Sequence, residues 1–139
     1  MAKSELFNPV LGPILKASGA FPVRRGEGDL EAIQQAVELV RSGEVVVMFP
    51  EGTRRKKGLR KRHEARAHTG AARIALTAGA PLVPAAIKGT ERLTRLAPLR
   101  VAYGAPVPLG DLAGAEIKLA SREATNRLMA EIGRLEASL

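Results

Sequence analysis

Five apolar residues stand in unbroken succession at positions 45–49, Val-Val-Val-Met-Phe. A Val-rich run without alternation predicts a strand buried on both faces, as in parallel sheets covered by helices. Pro50 ends it, because proline has no N–H to give to a ladder. Upstream, Leu30, Ile33, Val37 and Val40 recur at three and four residues, which predicts one helix face. Asp29 stands where an N-cap belongs and Gly43 where a helix stops. Earlier still, Asn8-Pro9 signals a helix start, with Val10, Leu11, Ile14 and Leu15 at helical spacing and Gly19 closing it. Phe21-Pro22-Val23 reads as a short strand, and residues 1–7 carry neither a cap nor a period. Strand, helix and strand in this order predict a right-handed βαβ unit.

The pattern continues downstream. Ala71, Ala72, Ile74, Ala75, Leu76 and Ala78 predict a helix that Thr69 is placed to cap, with Gly79 ending it and Pro81 blocking its continuation. Residues 82–87, Leu-Val-Pro-Ala-Ala-Ile, read as a strand whose Pro84 requires a bulge or an edge position. Residues 99–103 predict a fourth strand, and the Gly-Ala-Pro-Val-Pro stretch at 104–108 a turn-rich connector. From about Glu116, Ile117, Ala120, Ala124, Leu128, Ile132 and Leu135 form one stripe with balanced charges, an amphipathic helix. The fold class expected is therefore α/β, a mostly parallel sheet flanked by helices, in a single domain spanning residues 1–139.

Composition narrows the chemistry. With no cysteine there is no disulfide framework, thiol nucleophile or Cys-based metal site. No apolar run approaches the roughly 18 residues that cross a bilayer, and no secretory leader is present, so a cytoplasmic location is expected. The net charge of +8 is concentrated: Arg54, Arg55, Lys56, Lys57, Arg60, Lys61, Arg62 and Arg66 face a single acid, Glu64, in one short stretch. One basic segment implies an anionic partner at one place. Anionic lipid headgroups fit, at about 1 kcal/mol per basic residue near such a surface. So do an acidic carrier protein and a phosphorylated substrate, and so does a plain solvated loop. Nucleic acid is not supported, because no aromatic side chain interleaves the run to stack on bases.

The candidate site is the turn after the apolar run. Glu51, Gly52, Thr53 and Arg54 bring a carboxylate, a flexible backbone, a hydroxyl and a guanidinium to the carboxyl end of the expected strand, where open α/β sheets bind ligands. Gly52 lets backbone approach a ligand closely, and Arg54 offers a planar fork matched to phosphate. Arg25, just past the short strand at 21–23, is placed to join them. Two arginines hold a phosphate through charge-assisted, partly bidentate hydrogen bonds, with Thr53 adding a hydroxyl donor. Glu51, itself anionic, is suited to orienting an arginine or a glycerol hydroxyl. The plainer alternatives are a solvated strand-end charge at Arg25 and a surface turn with an ion pair at Glu51 to Arg54. His63 and His68 lie in or beside the basic run and suit a surface role.

These residues resemble those of the glycerolipid acyltransferases, the family that includes 1-acylglycerol-3-phosphate acyltransferase. Three of the family's blocks occur in order: Gly19, five residues and Arg25; Phe49-Pro50-Glu51-Gly52-Thr53-Arg54; and an apolar strand containing proline, here 82–87. The likeness covers roughly residues 3–110. It implies a glycerol-3-phosphate acyltransferase-like fold and acyl transfer from a thioester donor, acyl-CoA or acyl carrier protein, to 1-acylglycerol-3-phosphate, giving phosphatidic acid. It assigns Arg25, Glu51, Gly52, Thr53 and Arg54 to the acceptor phosphate. It also implies no metal or other cofactor, a lysophospholipid acceptor, and peripheral contact with the anionic inner face of the membrane.

One block of the family has no counterpart. Its general base is a His followed after four residues by an Asp, and that pattern occurs nowhere in this sequence: five residues beyond His63 is His68, and five beyond His68 is Arg73. The opening Met1-Ala2-Lys3-Ser4-Glu5-Leu6-Phe7 resembles the family's interior just after that block. The expectation is a family member cut at an internal methionine and inactive as written. The alternative is a non-catalytic phosphate- or anionic-lipid-binding module.

Overall fold

The computed structural model describes residues 2–3, 13, 17, 19, 22–23, 30–51, 67–90 and 98–139. They belong to two compact units, Met1–Phe49 and Pro50–Leu139.

In the first unit, β1 (Ala2–Lys3) pairs in parallel with β2 (Pro22–Val23), Ala2 opposite Pro22 and Lys3 opposite Val23. β2 falls within the expected short strand, whereas no sequence signal marks β1. Of the helix expected from Asn8 to Gly19, Pro13 and Ala17 are helical and Gly19 has φ 73. The rest of that helix lies outside the described residues, as do Arg24, Arg25, the turn at 26–28 and the expected cap Asp29.

Helix α1 (Leu30–Arg41) matches its prediction in extent. Its end has a definite cause. Gly43 takes φ 90, which costs glycine no Cβ clash. The Glu44 N–H then donates to the Leu39 carbonyl at 3.0 Å and the Gly43 N–H to the Val40 carbonyl at 3.1 Å. This is a Schellman closure, which satisfies carbonyls the helix would leave without donors. The buried face differs from the apolar stripe: Ala32, Ala36 and Val37 are buried while Leu30 is exposed.

Residues 44–49 correct the central expectation. They form neither helix nor strand, and Val45, Val47 and Phe49 are 88%, 63% and 75% exposed, while Val46 and Met48 are half-buried. The every-other-residue alternation is that of an extended segment with one face uncovered. A strand buried on both faces needs ladder neighbours and two covering layers, and no ladder partner exists for it among the described residues.

The second unit contains α2 (Gly70–Ala78), β3 (Ala85–Lys88), β4 (Arg100–Tyr103), a 3₁₀ turn (Gly110–Leu112) and α3 (Ile117–Ser138). α2 begins after Thr69, whose side chain makes no cap bond; its carbonyl accepts from Arg73 N–H at 2.9 Å instead. β3 and β4 are antiparallel, with Ala85 opposite Tyr103, Ala86 opposite Ala102, Ile87 opposite Val101 and Lys88 opposite Arg100. The pairing extends past the strands, because Pro84 O accepts from Gly104 N–H at 3.0 Å and Leu82 O from Val107 N–H at 2.8 Å. Pro84 therefore precedes the strand, where its missing donor costs no ladder bond, and its side chain is fully buried. Gly104 is required opposite it: a Cβ there would stand 2.9 Å from Pro84 Cγ.

The described sheets are thus one parallel and one antiparallel pair, not the mostly parallel sheet expected. Only residues 89–99 join β3 to β4, short of the dozen or more that a parallel crossover needs.

The core of this unit gathers Ala72 and Ala75 from α2, Leu82 and Val107 beside the hairpin, and Ala124 and Leu128 from α3. Alanines on both helices let α2 and α3 pack closely. Two polar residues share the buried face of α3, Ser121 and Thr125. Thr125 Oγ1 donates to the Ser121 carbonyl one turn back at 2.6 Å, which satisfies the hydroxyl inside the core.

A clasp closes the connector onto α3. Arg127 donates from Nη1 to Asp111 Oδ1 at 2.7 Å and from Nη2 to Oδ2 at 2.6 Å. Nη1 also reaches the Pro108 carbonyl at 2.8 Å, and Nε reaches Glu123 Oε1 at 3.0 Å. The Arg127 hydrogen bonds hold the Asp111 carboxyl below its ordinary pKa. A depressed native pKa contributes stability that is complete above the unfolded carboxylate value, about 3.9, and is lost as pH falls through the lower native value. Asp111→Asn is therefore expected to lower the melting temperature at pH 7, with the difference from the parent chain shrinking as pH falls below the ordinary carboxylate range. Thermal melts of both proteins across that range check it; a difference that persists in acid assigns the effect to something other than the ion pair.

Candidate functional site

The expected site begins at Pro50 and Glu51, and the structure defines the base of its loop. The His68 N–H donates to the Pro50 carbonyl at 2.9 Å, which joins the described residues on either side of positions 52–66. The returning chain runs through Thr69 directly into α2. Glu51 lies in a turn and is half-buried.

Of the five predicted site residues the structure places Glu51 alone. Arg25, Gly52, Thr53 and Arg54 lie outside the described residues, as does the rest of the basic run to Arg66, with His63. His68 is exposed, in keeping with a surface role. Among the described residues no group of three His, Cys, Asp or Glu side chains is gathered as a metal would need. Among the same residues no helix is long and apolar enough to cross a membrane.

A second cationic position emerges that the apolar pattern does not reveal. Lys88, at the carboxyl end of β3, stands directly opposite Arg100, at the start of β4, and both are exposed. Directly opposed strand residues project from the same face, where like charges repel. Arg100 Nη1 donates to a main-chain oxygen of Leu139 at 3.0 Å, which in the 139-residue chain belongs to a carboxylate that balances the Arg100 charge. The backbone of Lys88 belongs to the β3–β4 ladder, and its side chain has no hydrogen-bond or ion-pair partner among the described residues. The available signal was local charge: residues 88–100 include Lys88, Arg92, Arg95 and Arg100 against Glu91 alone. The larger run at 54–66 obscured it.

Comparison with known proteins bears on what these groups do. The family model described as Acyltransferase matches residues 1–88, more than half the chain. Across its full length the chain is 34% identical to the 1-acyl-sn-glycerol-3-phosphate acyltransferase of Bacillus subtilis (strain 168), covering 69% of that protein. Over 87 residues, 61% of the chain, it is 33% identical to the chloroplastic 1-acyl-sn-glycerol-3-phosphate acyltransferase BAT2 of Brassica napus, covering 24% of that protein. No solved structure matches significantly.

Proposed function

From the membership of this chain in the acyltransferase family of glycerolipid enzymes, we propose that its substrate is 1-acylglycerol-3-phosphate and that its donor is a fatty acyl thioester, acyl-CoA or acyl carrier protein. The acceptor hydroxyl attacks the thioester carbonyl, the thiol leaves, and the product is phosphatidic acid. The observation that carries this reading is the Phe49-Pro50-Glu51-Gly52-Thr53-Arg54 motif, which falls within the matched residues. In it Arg54, with Arg25, holds the acceptor phosphate; Gly52 admits the phosphate to the backbone; Thr53 donates a hydroxyl bond; Glu51 orients an arginine or the glycerol. The basic run to Arg66 meets the anionic surface of a membrane on its inner, cytoplasmic side. The reaction needs no metal or other cofactor, since the thioester is already activated.

The 139-residue chain contains no His followed after four residues by Asp. On that ground we read the chain alone as a binder of phosphorylated acceptor that lacks its general base. In this respect a non-catalytic phosphate-binding module is the second reading.

Both readings place the phosphate on arginine. Arg54→Ala is expected to weaken binding of glycerol 3-phosphate roughly 10- to 100-fold, and Arg54→Lys to recover part of it, as charge without the planar fork would. Calorimetric titration of the three proteins checks this. Equal affinities would remove the motif from the phosphate site.

A further inference from the structure

We infer that the uncovered face of the β3–β4 hairpin is a dimer interface, and that its occupant is the same face of a second copy of this chain. An antiparallel sheet with one face to water alternates apolar with polar residues. This hairpin is apolar on both faces. On the inner face Pro84 is fully buried and Ala86 is buried, with α3 packed behind them; a Cβ on Gly104 would stand 3.4 Å from Leu135. On the outer face Ala85 stands opposite Tyr103 and Ile87 opposite Val101. Val83, two residues before Ala85, and Leu99, two before Val101, extend that face. Val83, Ile87, Leu99 and Val101 are between 46% and 49% exposed, and Tyr103 is 74% exposed.

Among the described residues no charged side chain stands on the outer face. By the same alternation Lys88 and Arg100 fall on the inner side, where Arg100 meets Leu139 at the end of α3. A chain of net charge +8 thus presents to its own copy a neutral apolar surface, and a two-fold axis brings no like charges together there. The five exposed fractions correspond to roughly 500 Å² of apolar surface. Counted on both copies, that reaches the threshold of about 1,000 Å² for a specific interface. Two sheets stack face to face about 10 Å apart with their side chains interleaved, an arrangement open to bare Val, Ile and Leu side chains. The backbone argues against a bilayer as occupant. Gly104 N–H bonds Pro84 O, so the bonded pairs of the ladder are 84–104, 86–102 and 88–100. Ala85, Ile87, Val101 and Tyr103 therefore direct their N–H and C=O groups out of the hairpin edges, where they meet no partner among the described residues. Hydrocarbon would strand those groups, whereas a facing sheet leaves them to water.

An interface at the low end of the specific range predicts a dissociation constant of roughly 1–100 µM. Sedimentation equilibrium of the 139-residue chain across that range is expected to show twice the monomer mass at the top and the monomer at the bottom. Val101→Lys places a charge in the interface and is expected to raise the dissociation constant at least tenfold. Tyr103→Lys is expected to do the same. Because Tyr103 is so exposed in the single chain, that substitution leaves the fold intact, which circular dichroism melts at low concentration check. Leu119→Lys, at an exposed apolar position on α3, is expected to dimerise as the parent chain does. Tyr103 is the only tyrosine and there is no tryptophan, so the emission of the chain reports this face alone. Acrylamide should quench it less as concentration rises. A parent chain that stays monomeric, with Tyr103 equally quenched throughout, overturns the inference. So does a dimer that both lysine variants on the hairpin leave unchanged, since another surface then holds it. Protection of Tyr103 by phosphatidylglycerol vesicles in a chain that stays monomeric would overturn it in favour of a lipid surface.

Discussion

Leu128→Ala is expected to destabilise the chain by about 3 kcal/mol and to lower its melting temperature by roughly 10 °C. Leu128 is 4% exposed and belongs to the core that α2, α3 and the hairpin enclose. Removing most of a buried leucine loses its transfer free energy and leaves a cavity, and the sum depends on how far the surroundings can collapse. Here they collapse only in part, since Leu82 and Val107 can shift but the alanines cannot. Ala72, Ala75 and Ala124 have no side-chain torsion with which to reach into a void, and the backbones behind them belong to packed helices. Against the 5–15 kcal/mol that holds a typical domain together, the loss is large. Leu119→Ala, on the same helix but 61% exposed, is the control, with an expected change within about 0.5 kcal/mol. Urea unfolding of both variants decides it: the Leu128 variant should shift the midpoint and keep the slope. Equal midpoints for the two would mean that α3 does not seat this face in the core.

Where local chemistry decides an element, the sequence was readable. α1 ends where Gly43 allows a left-handed residue, and the Schellman bonds follow from that one position. α2 ends at Ala78 with Gly79 at φ 68, β4 lies within the predicted strand, and α3 occupies the predicted amphipathic stretch. Where a distant partner decides, it was not. β1 is two residues long and exists only because Pro22 and Val23 pair with it. The Val-rich run at 45–49 has the composition of a buried strand, yet burial is a property of its neighbours. An apolar stripe along α3 leaves out Ser121 and Thr125 by construction; a threonine that bonds its own helix backbone is as acceptable inside as a valine of similar shape.

The site divides in the same way. The motif from Glu51 to Arg54 was visible as residue types in a short window, and the family model spans it. That His68, seventeen residues after Glu51, bonds to Pro50 has no signature in either residue's side chain, because the bond joins two backbones. The Lys88–Arg100 pair depends on hairpin register, which places together residues twelve apart.

Mixed with lysophosphatidate and a fatty acyl-CoA, the 139-residue chain is expected to form phosphatidic acid at least 10²- to 10⁴-fold more slowly than the Bacillus subtilis relative, roughly the range that general-base catalysis alone contributes. The argument concerns one proton. An acceptor hydroxyl is a poor nucleophile until a base within hydrogen-bond reach takes its proton as the bond to the thioester carbonyl forms. In the family pattern that base is a histidine oriented by an aspartate five positions on, and a base without its orienting partner loses much of its effect. Neither histidine of this chain has that partner: His63 is followed at the same interval by His68, and His68 by Arg73. His68 is engaged through its backbone N–H to Pro50, with the residue exposed at the loop base. On the proposed assignment, phosphate binding at Arg54 would position an acceptor without activating it, so affinity and turnover should come apart. Glycerol 3-phosphate should bind while free thiol and phosphatidic acid accumulate only at the reduced rate. The two readouts, calorimetry for the acceptor and thiol release with product analysis for the reaction, are made on one preparation. Turnover near that of the Bacillus protein would show that a base is present after all. Abolition of that turnover in His68→Ala, with acceptor affinity intact, would then identify it as His68.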